Sequence, residues 1–411
     1  MNPPSANTVF TTGLLRYGLS LSAAAALLGG CGGSRPLLSD SPQGFASQQS
    51  LGQQAYNILH EFGVSPDDGK NPSADLINVK GTLYGTTLGG GSHIYGTVFK
   101  ITKTGQETVL HSFGAPGDGV NPAARLLNVN GTLYGTTASG GSKGGGTVFS
   151  IKLDGTEKII YDFDSTYGKR DNGYGAVAGL IDVDGTLYGT TEHGGVAYCG
   201  MFLSCGTVFS ITMSGKYKVL HRFGHGYDGA NPKAALLDVN GTLYGTTSSG
   251  GRYNYNGTVF SITTTGQYRT VYNFGTSQGD GGYPAAALIN VNGTLYGTAA
   301  GEGRNGAVFS ITTDGTEKTI YNFAGSNGSN PVADLVYVKG VLYGTTAMGG
   351  KYNVGTVFGV TTSGEEILLH SFHAGGGENP QAGLLEVDGT LYGTTYGIVR
   401  NNHGNVFSLK P

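Results

Sequence analysis

The chain has 411 residues, of which 75 are glycine and only 12% are charged, with a formal net charge of −3. So neutral and charge-poor a chain carries no electrostatic footprint for nucleic acid and no like-charged block that would mark a disordered tail. Glycine far above its usual frequency, without a three-residue period, excludes collagen and calls for many tight turns and close backbone contacts.

From the N-terminus, residues 17–30 read "YGLSLSAAAALLGG", an apolar run behind Arg16 and ahead of Cys31. It is shorter than the ~20 residues a membrane-spanning helix needs and fits the apolar region of a secretory signal. The ending "LLGGC" resembles a bacterial lipobox, which makes Cys31 the expected lipidated residue, 1–30 a signal peptide and 31–54 a flexible tether. With Gly32 rather than aspartate after it, the expected destination is the outer membrane. The two other cysteines, Cys199 and Cys205, lie close together in "CGMFLSC". In an exported chain this pair reads as a disulfide; two thiols alone do not complete a tetrahedral metal site.

From residue 55 onward a unit of about 50 residues repeats. In the copy from Asn121 to Phe163, "AARLLNV" is a first strand and Asn130-Gly131 a hairpin turn. "TLYGTT" is a second strand, and a Gly-rich loop of variable length separates it from a third, "GTVFSI". A turn at Asp154-Gly155 leads to a fourth strand, "EKIIYDF". "GTLYGTT" occurs at Gly81, Gly131, Gly185, Gly241 and Gly389, with close variants at Gly293 and Gly340. Such a meander is apolar on both faces and needs a neighbour on each, which radial repetition supplies. The fourth-strand motif ending at Phe62 precedes the first "GTLYGTT", and the last unit stops after its third strand at "GNVFSLKP". These readings predict an all-β, seven-bladed β-propeller over 55–411, closed by pairing of the N-terminal strand with the C-terminal blade. Gly135 would leave a dent on the face of Leu133 where a neighbouring blade can approach, filled by an aromatic such as Phe149 or its equivalent.

The pattern "GTLYGTT…GG…GTVF.I…G" resembles the tandem repeat of choice-of-anchor GloVer-containing proteins of bacteria, over about residues 55 to 411. That resemblance implies an exported repeat protein held by an anchor, here Cys31, and implies no reaction. The period is also kelch-like, an architectural analogy only.

The 4–1 and 2–3 connections share one rim, and the variable loops lie there. They carry His93, Tyr95, His193, Tyr198, Arg252, Tyr253, Tyr255, Arg304, Tyr352, Arg400 and His403, residue types suited to recognition on a rigid scaffold. The other rim, made of tight turns, offers little room for chemistry. At the axis one repeat position reads Asp75, Arg125, Gly179, Ala235, Ala287, Asp334 and Gly383. Asp75, Arg125 and Asp334 are the expected channel-lining charges, with Asp75 and Arg125 as a salt bridge. Acid–base work would need Asp75 and Asp334 close together, and Gly383 stands between them. His60, His111, His221 and His370 recur on the outer strands of separate blades, too far apart to share one ion, and read as packing residues. "DVDG" at Asp182 is a hairpin turn rather than a calcium loop. No metal, cofactor or catalytic residue is expected. The expectation is a monomeric, lipid-anchored ligand-binding module for a glycan or a protein, with no nucleic acid as partner. The alternatives are a carbohydrate-active lyase or hydrolase at the axial funnel, or a purely structural surface protein.

Overall fold

The structure, a computed structural model, describes residues 55–411 except 167–171, 196–203, 254–255, 277–278, 302–304 and 398–401. The expected signal and tether, with Cys31, lie outside the described residues.

Seven four-stranded antiparallel meanders follow one another. In blade 1, Ile77–Val79, Thr82–Thr87, Thr97–Ile101 and Glu107–Ser112 run from the axis outward. Each innermost strand touches the next, and the series returns from Leu385–Val387 of blade 7 to Ile77–Val79 of blade 1. In blade 2 the short strands Gly119–Val120 and Ser139–Gly140 extend the sheet at the variable rim. Among the described residues there is no α-helix.

The hairpin turns fold as their sequence dictates. Asn130 (φ 51°) and Gly131 (φ 84°) are both left-handed, as are Asp184 (φ 51°) and Gly185 (φ 77°). Two consecutive residues of this kind make the type I′ turn, whose twist matches that of the flanking strands. "DVDG" is therefore a hairpin turn. The side chain of Asn128 also accepts the Gly131 N–H at 3.0 Å.

Closure occurs where the repeat pattern requires it. Tyr56–Glu61 pairs antiparallel with Asn405–Leu409, bringing Asn57 opposite Ser408 and Ile58 opposite Phe407. The Phe62 N–H then donates to the Gly404 carbonyl at 2.9 Å. The same interface recurs at every seam. A phenylalanine ending one outer strand meets, edge to face, a phenylalanine in the third strand of the following blade. Phe113 lies 5.0 Å from Phe149, and Phe62 lies 5.1 Å from Phe99 across the closing seam. Such pairs contribute about 0.5–1.5 kcal/mol beyond their burial.

The repeated glycine makes room for that ring. Gly135 is the cross-strand partner of Phe149, and a Cβ on it would lie 2.5 Å from the Phe149 Cζ and 3.0 Å from the Leu126 Cδ2. The dent is thus filled from within the same blade, and the neighbour's Phe113 packs on the filler. Buried threonines add polar ties between blades: the Thr86 hydroxyl donates to the Ala124 carbonyl of the following blade at 3.2 Å, and Thr136 repeats the bond to Ala178. An asparagine at the 4–1 loop clamps the preceding blade. The Asn121 side chain donates to the Leu88 carbonyl, and Asn71 does the same to Tyr396 across the seam, each at 2.9 Å.

Candidate functional site

The innermost strands converge on an axial channel, and the repeat position just before them places its side chains there. Asp75 precedes Ile77–Val79, and its carboxyl lies within hydrogen-bonding reach of Asp334 from the sixth blade. Gly383 of the intervening blade does not separate the pair; its lack of a side chain lets them meet. A Cβ there would stand 3.0 Å from the Asp334 Cβ and 3.1 Å from the Asp75 Oδ1. The sequence expectation of two remote carboxylates is corrected for this reason: at a crowded axis, next-nearest strands are neighbours when the strand between them carries glycine.

Each carboxyl is also anchored to backbone. Asp75 Oδ1 accepts the Gly383 N–H at 2.5 Å, and Asp334 Oδ1 accepts the Ala287 N–H at 2.6 Å. Arg125 approaches Asp75 more loosely, with 4.0 Å between Nη1 and Oδ2, and its side chain is 56% exposed against 14% for Asp75. So long and wet a contact is worth little. Burial, then the neighbouring Asp334, hold the Asp75 carboxyl well above the usual range, at about 7, against the opposing pull of Arg125. The charged trio stands at a waist between two cavities. One, of about 570 Å³, extends toward the 1–2 turns between walls of Leu180, Leu236, Leu288 and Leu335. The other, of about 230 Å³, extends toward the variable rim past Ser73, Lys233 and Gln381. The larger space thus lies on the side of the tight turns, where the sequence suggested little room. It is formed by the axis itself rather than by loops.

At the variable rim the expected ligand-contacting residues stand on separate blades. Tyr95 and His93 belong to blade 1, and the His93 ring bonds to Ser92. Arg252 and Tyr253 belong to the fourth blade, with the guanidinium 5.6 Å from the ring. Tyr352, on the sixth blade, is half exposed, with the Lys351 ammonium 5.0 Å away. His403 is half-buried and lies against Gly63, so its ring is a packing element of the closing seam. His193 is half-buried beside Tyr174, with 5.2 Å between ring centres. Tyr198, Cys199, Tyr255, Arg304 and Arg400 lie outside the described residues. Cys205 is fully buried and disulfide-bonded. Most of the exposed large apolar side chains sit on this rim: Val64, Ile94, Tyr95, Tyr227, Tyr253, Met348 and Tyr352.

A third arrangement lies at the outer junctions. The histidines of the outer strands do not approach one another; each of three pairs with an acid from the loop that follows. His60 Nε2 is 3.4 Å from Asp68 Oδ1, His111 Nε2 is 3.1 Å from Asp118 Oδ2, and His221 Nε2 is 2.9 Å from Asp228 Oδ2. In two junctions a glutamate from the outer strand of the next blade joins, giving His60–Asp68–Glu107 and His111–Asp118–Glu157. Burial raises both glutamates to about 7. The seven-residue spacing of His111 to Asp118 and of His221 to Asp228 is visible in the sequence, whereas the glutamates arrive from another blade.

A model of the Gloeobacter/Verrucomicrobia repeat matches residues 39–255 and 254–411. The chain belongs to that repeat family. Its GloVer-type motifs thus mark true membership. No curated protein matches this repeat protein. Among solved structures it resembles a puromycin hydrolase mutant complexed with PGG, at 12% identity and a TM-score of 0.54, over 80% of this chain and 50% of that one. It also resembles a Mycobacterium tuberculosis puromycin-hydrolyzing peptidase, at 12% identity and a TM-score of 0.51, over 82% and 52%. The chain spans about half the length of these two hydrolases. A putative 6-phosphogluconolactonase from Bacteroides uniformis matches at 14% identity and a TM-score of 0.51, over 77% of this chain and 96% of that one. At such identities the likeness is one of fold alone.

Proposed function

We propose that this repeat protein is an exported, lipid-anchored binding module that takes a glycan or a protein ligand through the rim of its 4–1 and 2–3 loops. The observation that carries the reading is the gathering of exposed aromatic and aliphatic side chains on that rim, above blades whose own faces are fully packed. Exposed aromatic side chains on loops over a rigid scaffold are suited to recognition. Tyr253 and Tyr352 each have a cation at the ring, a combination common at recognition surfaces. Cys31 would supply the lipid anchor and residues 31–54 the tether.

The axial carboxyl pair argues against a two-carboxylate glycosidase. Such enzymes hold their carboxyl groups about 5–5.5 Å or 6.5–9.5 Å apart to admit the sugar bond or a water. Asp75 and Asp334 instead lie within hydrogen-bonding reach of each other. The test is binding of the protein to a glycan array and to extracts of envelope proteins, with Tyr253→Ala and Tyr352→Ala compared. The expected result is a ligand whose affinity falls about tenfold or more in the double variant at unchanged melting temperature. No ligand in either format, or affinity indifferent to both tyrosines, would overturn the reading.

A further inference from the structure

The seven outer junctions share one construction, and two of them are chemically unlike the rest. At each, the His or Tyr near the end of an outer strand faces the loop that follows and the first residue of the next blade's outer strand. Where that first residue is tyrosine, its ring covers the position: Tyr268 stacks on His221 at 3.9 Å, and Tyr56 stacks on His370 at 4.1 Å. At the junction of Tyr272 with Glu317 a hydroxyl serves the acids, whereas at that of Tyr321 the loop supplies Asn327 and the buried Glu366 Oε1 has no hydrogen-bond partner among the described residues. Tyr272 donates to Asp280 at 3.0 Å and reaches Glu317 at 3.4 Å. Among the described residues, histidine, aspartate and glutamate meet only at the first two junctions.

These two junctions are rich in acceptors and poor in donors. Asp68 Oδ2 is held by the N–H groups of Gly63 and Val64, at 2.8 and 3.2 Å, which aims Oδ1 at His60. Asp118 is held likewise by the N–H groups of Gly114 and Gly119. Neither Glu107 nor Glu157 makes a side-chain hydrogen bond among the described residues, and the Oε1 of each is shut away from solvent. The imidazole Nε2 faces the aspartate at each junction, and the buried Oε1 of the glutamate has no hydrogen-bond partner among the described residues. That costs free energy unless a cation or a donor fills the gap. One ligand atom from each residue, imidazole nitrogen or carboxylate oxygen, lies within 4.8 Å of the other two in both sets, a spacing from which small side-chain movements bring all three onto one ion.

We infer that His60–Asp68–Glu107 and His111–Asp118–Glu157 are two equivalent sites for a divalent transition-metal ion, with water completing the coordination. One imidazole and two carboxylates suit zinc or manganese, whereas calcium takes oxygen ligands. The position of the sites gives them a structural role. His60 and Asp68 flank the end of the N-terminal strand, while Glu107 opens the outer strand of blade 1. An ion at the first site ties the N-terminal strand to blade 1, and an ion at the second ties blade 1 to blade 2. Each site takes its three ligands from two adjacent outer strands and the loop between them, so metal binding and the packing of those strands are linked.

The test uses the whole protein, stripped with chelator and titrated separately with zinc, manganese and calcium ions, and compared with Glu107→Gln, Glu157→Gln and the double variant. Glutamine keeps the shape, removes a charge and supplies the missing donor, so the variants are expected to fold; circular dichroism checks that they do. Two equivalents of zinc or manganese are expected for the native chain, one for each single variant and none for the double variant. The melting temperature should rise with metal only in chains that keep a site. A native chain that holds neither ion, a preference for calcium, or unchanged stoichiometry in the double variant would each overturn the assignment.

Discussion

Replacing Gly135 by alanine tests the interface that all seven blades share. The added Cβ would lie 2.5 Å from Cζ and 2.8 Å from Cε1 of Phe149, and 3.0 Å from Cδ2 of Leu126. Carbon atoms sit comfortably at about 3.5–4.0 Å, so the ring must retreat by roughly 1 Å. It has nowhere to go: Phe149 and Leu126 are buried, and Phe113 holds the ring from the neighbouring blade at 5.0 Å. Overpacking of this kind costs about 1–3 kcal/mol, and the rigid surroundings place Gly135→Ala toward the upper end. The assay is denaturant unfolding of a double-mutant cycle with Phe149→Leu, which removes the Cζ and Cε1 atoms. The double variant should be more stable than the sum of the singles by about 1 kcal/mol or more, a coupling of the size seen for touching residues. A neutral Gly135→Ala, or strict additivity in the cycle, would refute the packing argument.

Three further expectations follow from the buried ionisable groups. Asp75, raised to about 7 by burial and then by Asp334, binds a proton more tightly in the folded than in the unfolded chain. Its contribution is therefore fully present below the ordinary carboxylate pKa and is lost as pH rises through about 7. Glu107, Glu157 and Glu317 act in the same direction, so the measurement is the difference between native protein and Asp75→Asn. The variant should gain relative stability, on the order of 1–3 kcal/mol, between pH 4 and 8; parallel profiles would contradict this. Gly383→Ala, with its Cβ 3.1 Å from Asp75 Oδ1, must part the carboxyl pair. Carbon NMR should then show Asp75 titrating nearer the ordinary range, with a stability loss of about 1 kcal/mol. His370 has the opposite sign: burial, aided by His373, lowers it to about 4, and its Nε2 has no hydrogen-bond partner among the described residues. Its stabilising effect is present above the ordinary histidine pKa and is lost as pH falls through about 4, so His370→Phe should flatten the acid limb of melting curves below pH 6.5.

The architecture was legible because each local signal is repeated seven times and all copies agree. "NG"-like pairs gave left-handed turns, "TLYGTT" and "GTVF" gave the paired inner strands, and Phe62 marked a fourth strand without its own blade. The sites were harder to read because they depend on distances that repetition alone does not reveal. Gly383 looked like a spacer between Asp75 and Asp334 and proved to be the gap through which they touch. The outer histidines looked isolated because their partners come from another repeat position. Asp118 follows His111 by seven residues, while Glu157 arrives from the next blade. The rim tyrosines were legible as a class of exposed loop residue, but their separations across different blades were not.

The closed ring requires the two ends of the polypeptide to share a blade. Asn57 and Ser408 face each other across that junction, and opposed residues of antiparallel strands have Cα atoms about 4.5–5.5 Å apart, within the reach of a disulfide. Non-reducing peptide mapping of the Asn57→Cys, Ser408→Cys variant after mild oxidation tests the closure most directly. Closure predicts a single new cross-link between positions 57 and 408 in a chain that melts no lower than the native protein. An uncrosslinked variant with a native-like spectrum, or a cross-link formed only between separate chains, would contradict it.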